Sequence, residues 1–182
     1  MLTLGSLFDG IGGFPLAGLH NGITPLWASE IEPFPIKVTQ ARFPDMVHVG
    51  DITKLDGGKL PPVDVICGGS PCQDLSVAGQ RRGLTGERSG LFMDQVRIVK
   101  EMRNADAGRG IPDHLSRPRY LVWENVPGAF SSAGGEDFRA VIEEIVRIKD
   151  STCHVPRPDS GRRGSAGAAI LGTEFSLAWR VL

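Results

Sequence analysis

Leu2 to Leu19, LTLGSLFDGIGGFPLAGL, is the stretch whose reading decides the fold. Residues 2 to 8 form a short apolar run, Asp9-Gly10-Ile11-Gly12-Gly13 a glycine-rich turn, and a helix carrying Leu16, Ala17 and Leu19 is expected from Phe14 or Pro15. Strand, glycine turn and helix together open a nucleotide-binding α/β domain, because glycine lets the backbone approach a ligand closely. As a dinucleotide fingerprint the turn is imperfect: Gly10 and Gly12 fit, but Pro15 stands where a third glycine belongs. Taken alone, this turn is equally compatible with a plain structural turn.

The next segment changes that balance. Ile23 to Ser29 reads as a second strand ending on Glu30, 20 positions after Gly10, the gap at which an acidic side chain grips a ribose diol. Residues 33 to 43 read as a helix confined at its start by Pro33 and Pro35, and residues 46 to 49 as a brief third strand. Asp51 follows at a strand tip, suited either to a turn or N-cap role or to accepting from an adenine amino group.

Val63 to Cys67 is a fourth apolar run. It breaks on Gly68-Gly69-Ser70, and Pro71 fixes the backbone just before Cys72. The polar, glycine-containing residues 73 to 82 end on Arg81-Arg82, which places a thiol beside a positively charged segment. A helix is expected from Leu91 to about Arg103, then a polar connector over 104 to 118, then a fifth strand from Tyr120 to Trp123 that delivers Glu124. Phe138 to Ile148 has the apolar spacing of an amphipathic helix. Residues 151 to 172 read as a loop rich in Gly, Pro and Arg, and residues 173 to 182 as the start of a continuing, truncated catalytic domain. Residues 1 to 150 would form the cofactor-binding and catalytic domain.

Strands alternating with helices predict a doubly wound, mostly parallel sheet, with ligands bound beyond the carboxyl ends of its strands. Phe8 to Gly13, Glu30, Asp51, Cys72 and Glu124 all fall at such ends. The net charge of -1 gives no whole-chain signal for nucleic acid, so any anion-binding surface must come from local segregation of the 20 Lys and Arg residues. Three cysteines make no disulfide framework, and none is paired at zinc-knuckle spacing. The four histidines are scattered, which argues against metal catalysis. No segment has the length of a membrane span, and no signal segment opens the chain. A thiol and a carboxylate at neighbouring strand ends suit covalent catalysis with proton transfer. Cys67, inside an apolar strand, is expected to be inert.

Three motifs, in order, resemble those of the cytosine-C5 DNA methyltransferases. Leu7-Phe8-Asp9-Gly10-Ile11-Gly12-Gly13-Phe14 looks like their S-adenosylmethionine motif. Gly68-Gly69-Ser70-Pro71-Cys72-Gln73 looks like their nucleophile motif, with serine where proline is commoner, and Glu124-Asn125-Val126 like their catalytic glutamate motif. The resemblance implies a Rossmann-like S-adenosylmethionine-dependent fold, here incomplete. It implies Cys72 and Glu124 as catalytic residues, and Phe8, Asp9, Gly10, Gly12, Gly13, Glu30, Ile31, Asp51, Ile52 and Pro71 around the cofactor. Phe8 and Ile31 would pack on the adenine. Gln73, Ser76, Gly79, Arg81, Arg82, Arg88 and Asn125 are the implied nucleic-acid contacts, on double-stranded DNA.

Family members continue into an arginine-rich motif, a target-recognition domain and a pocket-completing segment, which are expected to be missing here. The chain is therefore expected to be a fragment or one half of a split enzyme, needing a C-terminal partner chain. The implied setting is cytoplasmic, of prokaryotic or phage restriction-modification type. A tRNA cytosine-C5 methyltransferase and an inactive subunit are the alternatives. A nicotinamide dehydrogenase is more distant, because Pro15 breaks its fingerprint and it needs no Pro-Cys loop.

Overall fold

The computed structural model describes residues 1–70, 90–130, 135–156 and 167–182. The chain divides into two units, one made of residues 1–70 and 93–124, the other of residues 71–92 and 125–182.

In the first unit, β1 (Leu2–Leu7) is the middle of a five-stranded sheet. The other strands are β2 (Ile23–Ser29), β3 (Val47–His48), β4 (Val65–Gly68) and β5 (Tyr120–Trp123), in the order β3-β2-β1-β4-β5. Every pairing is parallel. The chain winds outward from β1 to one edge and then returns to β1's other side, so the strand order reverses between β1 and β4. That switch point is where a doubly wound sheet opens a crevice for ligands.

Helices α1 (Gly13–His20) and α2 (Pro33–Arg42) follow β1 and β2. Pro33 sits in the first turn of α2, where its missing N–H costs nothing. Leu4, Val65 and Cys67 form one apolar cluster with Phe14 and Ile23 against it, while Ala28, Phe43 and Met46 form another. Burial pushes the Cys67 thiol up to about 11, so this cysteine is inert core. Trp27 is wholly buried, and its indole N–H donates to Pro61 O at 2.9 Å.

Several element bounds differ from the sequence-based expectation. The fourth strand spans Val65–Gly68, starting two residues and ending one residue later than its apolar run suggested. α3 (Gly90–Gly108) continues five residues past Arg103 into the expected connector. Buried Asp106 anchors that extra turn: its carboxylate pairs with Arg109 and accepts the Arg117 N–H at 2.8 Å. Burial would raise its pKa, but these donors hold it below the usual carboxylate value.

In the second unit, α4 (Glu136–Val146) buries Val141, Ile142 and Val146. The Arg139 guanidinium bridges Glu136 and the buried Glu143. The expectation of a loop through residue 172 is corrected at its end, because Gly167–Leu171 is a strand, β6, paired antiparallel with β7 (Ser176–Arg180). Glycine and two alanines open β6, so its sequence carries little strand signal and the pairing comes from β7. The Phe138 ring of α4 stands edge-on to Phe130 and to Trp179 of β7, at 4.5 and 5.7 Å between centroids.

Candidate active site

The register of the first unit sets its strand ends in one row. Leu7 lies opposite Ser29 on one side and Gly68 on the other, and Gly68 lies opposite Trp123. The residues just beyond are Phe8, Glu30, Gly69 and Glu124. With parallel strands about 4.8 Å apart, they span about 14 Å of one sheet edge.

At the β1 end, Phe8 is held at φ 53°, a left-handed conformation rare outside glycine. Gly10 and Gly12 also have positive φ, 55° and 88°. The turn packs tightly on one side and is open on the other. A Cβ at Gly12 would come within 2.6 Å of the Phe43 ring, whereas nothing lies within 4 Å of one at Gly10 or Gly13. Open glycine backbone on the solvent side, with side chains packed behind it, fits a ligand that approaches the main chain closely.

Glu30 supports this turn. Its Oε2 accepts the Gly10 N–H at 2.7 Å, and its Oε1 accepts the N–H groups of Ile31 and Glu32 at 2.8 and 3.0 Å. A carboxylate offers about four acceptor positions, so three are used by the backbone and about one is left. Glu30 therefore ties the β2 end to the β1 turn. Ile31 is exposed beside it.

Asp51 is the N-cap of the short 3-10 turn Ile52–Lys54. Hydrogen bonds from Thr53 hold its carboxyl below the usual range, the backbone N–H at 3.0 Å and the hydroxyl at 2.8 Å. Ile52 is buried, which leaves its backbone rather than its side chain for any contact. Asp9 is also buried, and burial raises its pKa despite a 2.5 Å hydrogen bond from Ser6 Oγ.

At the β4 and β5 ends, the Glu124 N–H donates to Gly68 O at 3.0 Å. Its exposed carboxylate stands over Gly69, and a Cβ there would lie 2.7 Å from Glu124 Oε2. Trp123 Nε1 donates to buried Ser70 Oγ at 3.1 Å. Behind them Gln95 of α3 is fully buried against Gly68. The strand leading toward Cys72 and the strand leading to Glu124 are thus joined by backbone, indole and glycine contacts. The pairing of Trp123 with Ser70, and the place of Gln95, were not legible in sequence; the one signal was serine at a position where the nucleophile motif commonly has proline. Asn125, in the second unit, accepts the Val126 N–H on its side chain at 2.8 Å. Pro71, Cys72, Gln73, Ser76, Gly79, Arg81, Arg82 and Arg88 lie outside the described residues.

Comparison with known proteins places this row of strand ends in a family. The model for C-5 cytosine-specific DNA methylases matches residues 2–148. This chain belongs to that family. S-adenosylmethionine is the family's cofactor. It is 36% identical to the type II methyltransferase M1.ScrFI of Lactococcus lactis subsp. cremoris, over 78% of this chain and 33% of that protein. It is 34% identical, over its whole length, to 26% of a protein of Escherichia phage P1 named a DNA N-6-adenine-methyltransferase. The chain thus spans about a quarter to a third of these relatives. A solved structure of a putative DNA modification methyltransferase encoded within an Escherichia coli prophage superposes with a TM-score of 0.58 at 24% identity, over 83% of this chain and 38% of that one. The Schizosaccharomyces pombe Dnmt2 methyltransferase superposes with a TM-score of 0.54 at 21% identity, over 78% and 41%. At these identities the superpositions establish the Rossmann-like methyltransferase fold. Among the described residues, no group of His, Cys, Asp or Glu is placed to hold a metal, and no helix is long and apolar enough to cross a membrane.

Proposed function

We propose that this catalytic portion methylates C5 of cytosine in double-stranded DNA through a covalent adduct with Cys72. The observation that carries the reading is the Glu124 carboxylate standing over Gly69, three residues before the cysteine, in a chain of the C-5 cytosine methylase family. Cytosine C5 is a weak nucleophile, so the ring must first be activated. The target base is unstacked from the duplex, at about a few kcal/mol. The Cys72 thiolate adds to C6 while protonated Glu124 gives its proton to N3, which moves the ring's electron pair to C5. When bound, the cofactor supplies a methyl group on a sulfonium, which leaves as a neutral thioether once the C5–CH3 bond forms. A base then removes the C5 proton, N3 returns its proton to Glu124, and Cys72 leaves as thiolate with restoration of the ring. Free cysteine titrates near ~8.5, so the thiolate needs nearby positive charge, for which Arg81, Arg82 and Arg88 are the candidates.

The cofactor would lie against the open faces of Gly10 and Gly13, with the remaining acceptor position of Glu30 on its ribose, Phe8 and Ile31 at the adenine, and Asp51 at the adenine amino group. Glu30→Gln retains one oxygen where three N–H donors now find two. It is expected to weaken S-adenosylmethionine binding by at least about tenfold, measured by calorimetric titration. Unchanged affinity would remove Glu30 from the pocket.

The printed name of the phage P1 relative raises a second reading, transfer to adenine N6 in DNA. An exocyclic amine has its own lone pair and needs no thiol adduct, so Cys72 and Glu124 favour cytosine. Incubation with labelled cofactor, DNA and tRNA, followed by nucleoside mass spectrometry, decides: 5-methylcytosine in DNA supports the proposal. N6-methyladenine, or 5-methylcytosine in tRNA alone, would replace it.

A further inference from the structure

The 3-10 turn that presents Asp51 is held from two sides. Toward β2, the Val49 N–H donates to Ala28 O at 2.9 Å and Ser29 Oγ donates to Gly50 O at 2.6 Å, so the sheet anchors the chain up to Gly50. Beyond that point another element takes over. Among the described residues, every hydrogen bond that residues 51–58 make outside their own segment goes to Arg97 or Glu101 of α3.

Arg97 grips the turn by both ends. Its Nη2 donates to Ile52 O at 2.9 Å and its Nη1 to Leu55 O at 2.7 Å, the carbonyls of the turn's first residue and of its C-cap. Two carboxylates aim the guanidinium. Asp94 Oδ1 accepts from Nε at 2.9 Å, and both Glu101 oxygens accept from Nη1 at 3.1 Å. Glu101 Oε2 also accepts the Gly57 N–H at 2.7 Å. Arg97, Glu101 and Ala105 are spaced four residues apart and share one face of α3, on which the loop lies. A Cβ at Gly57 would come within 2.5 Å of Ile98 O, and one at Gly58 would lie 3.5 Å from Ala105 Cβ. The consequence falls on Asp51. Its Oδ1 is committed to Thr53, whose N–H and hydroxyl both donate to it. Its Oδ2 meets the exposed Lys54 ammonium at 3.4 Å and is the oxygen left for a ligand. Because the Thr53 bonds fix the carboxylate to the turn, whatever orients the turn aims Oδ2.

We propose that Arg97 is a positioning residue: its grip on the Ile52 and Leu55 carbonyls aims Asp51 Oδ2, and so sets the preference for a cofactor whose purine carries an amino group. The grip is a property of the chain itself, whereas its effect on purine selection rests on the cofactor reading proposed above. Charge alone does not suffice for this role. A guanidinium presents five N–H donors in a rigid planar fork, which here meets two carbonyls and two carboxylates at once; a lysine ammonium is a point charge with three donors and cannot span them.

Arg97→Lys is the decisive variant, because it keeps the charge and removes the fork. Affinities of the full chain for S-adenosylhomocysteine and S-inosylhomocysteine, in which a carbonyl replaces the purine amino group, are measured by calorimetric titration. Wild type is expected to prefer the adenosyl compound by at least about tenfold, and Arg97→Lys by less than about threefold. Both affinities weakened alike, with the wild-type ratio kept, would overturn the positioning role, since a general loss of structure acts on the two compounds equally. Glu101→Gln withdraws one of the charges that aim the guanidinium. It is expected to shift the ratio in the same direction by less, and it decides by the same criterion should Arg97→Lys not fold. Without ligand, the Lys54, Leu55 and Gly57 amides are expected to exchange with solvent at least about tenfold faster in Arg97→Lys, while those of β1 keep their wild-type rates. Unchanged exchange in the loop, or an equal rise in β1, would overturn the grip. A wild-type chain that binds neither compound, or both equally, would instead refute the adenine reading and with it the positioning role, while the exchange series still decides the grip.

Discussion

Glu124→Gln is expected to slow methyl transfer to DNA by about 10²- to 10⁴-fold, the range lost when a positioned proton donor is removed. The amide is nearly isosteric with the carboxylate over Gly69, and the backbone bond from its N–H to Gly68 O is unaffected. Fold and cofactor affinity should therefore persist, and the loss should appear in kcat. An amide can still hydrogen-bond N3 but cannot deliver a proton to it, so the electron pair that must reach C5 stays on the ring nitrogen. Single-turnover kinetics with labelled cofactor would measure the effect. A change smaller than about threefold would mean that N3 receives its proton from elsewhere.

Gly5→Ala is expected to produce the largest loss of stability. An added Cβ would lie 2.2, 2.4 and 2.6 Å from three ring carbons of Trp27. That ring is wholly buried and anchored by its bond to Pro61 O, so it has no room to yield. Overpacking of this kind costs about 3 kcal/mol. For a chain of this size that is a fall in melting temperature of about 6–12 °C. Gly108→Ala, at the end of α3 with nothing within 4 Å of the added methyl, is the control expected to lie within about 0.5 kcal/mol of wild type. Equal melting temperatures for Gly5→Ala and the control would show that the sheet accommodates the methyl group and that the Gly5–Trp27 approach is not fixed.

The elements that sequence made legible are those with local signals. The β1 turn announces itself through Gly10, Gly12 and Gly13, and α4 through an apolar stripe. β5 is a short apolar run delivering an acid. The 20-residue interval from Gly10 to Glu30 pointed to a shared site, and the structure joins those two residues by a hydrogen bond. The purpose of that bond was not legible, because spacing cannot distinguish a carboxylate facing a ligand from one holding backbone amides. Asp51 is similar: its N-cap role depends only on Thr53, two residues away, and was open from the start. Contacts between side chains far apart in sequence had no sequence signal. Trp123 and Ser70 are 53 residues apart, and Asp106 holds Arg117 from the far side of a turn that reads as connector. β6 was missed because small residues gave it no pattern and its partner lies across a turn.

The central claim is that Cys72 attacks the cytosine ring. It is tested most directly by incubating the chain with S-adenosylmethionine and duplex DNA carrying 5-fluorocytosine, where fluorine at C5 prevents the final proton loss and traps the adduct. A denaturation-resistant protein–DNA species whose cross-linked peptide contains Cys72 is expected, and its loss in Cys72→Ser. A trapped species that persists in Cys72→Ser, or methyl transfer to DNA that survives that substitution, would contradict it.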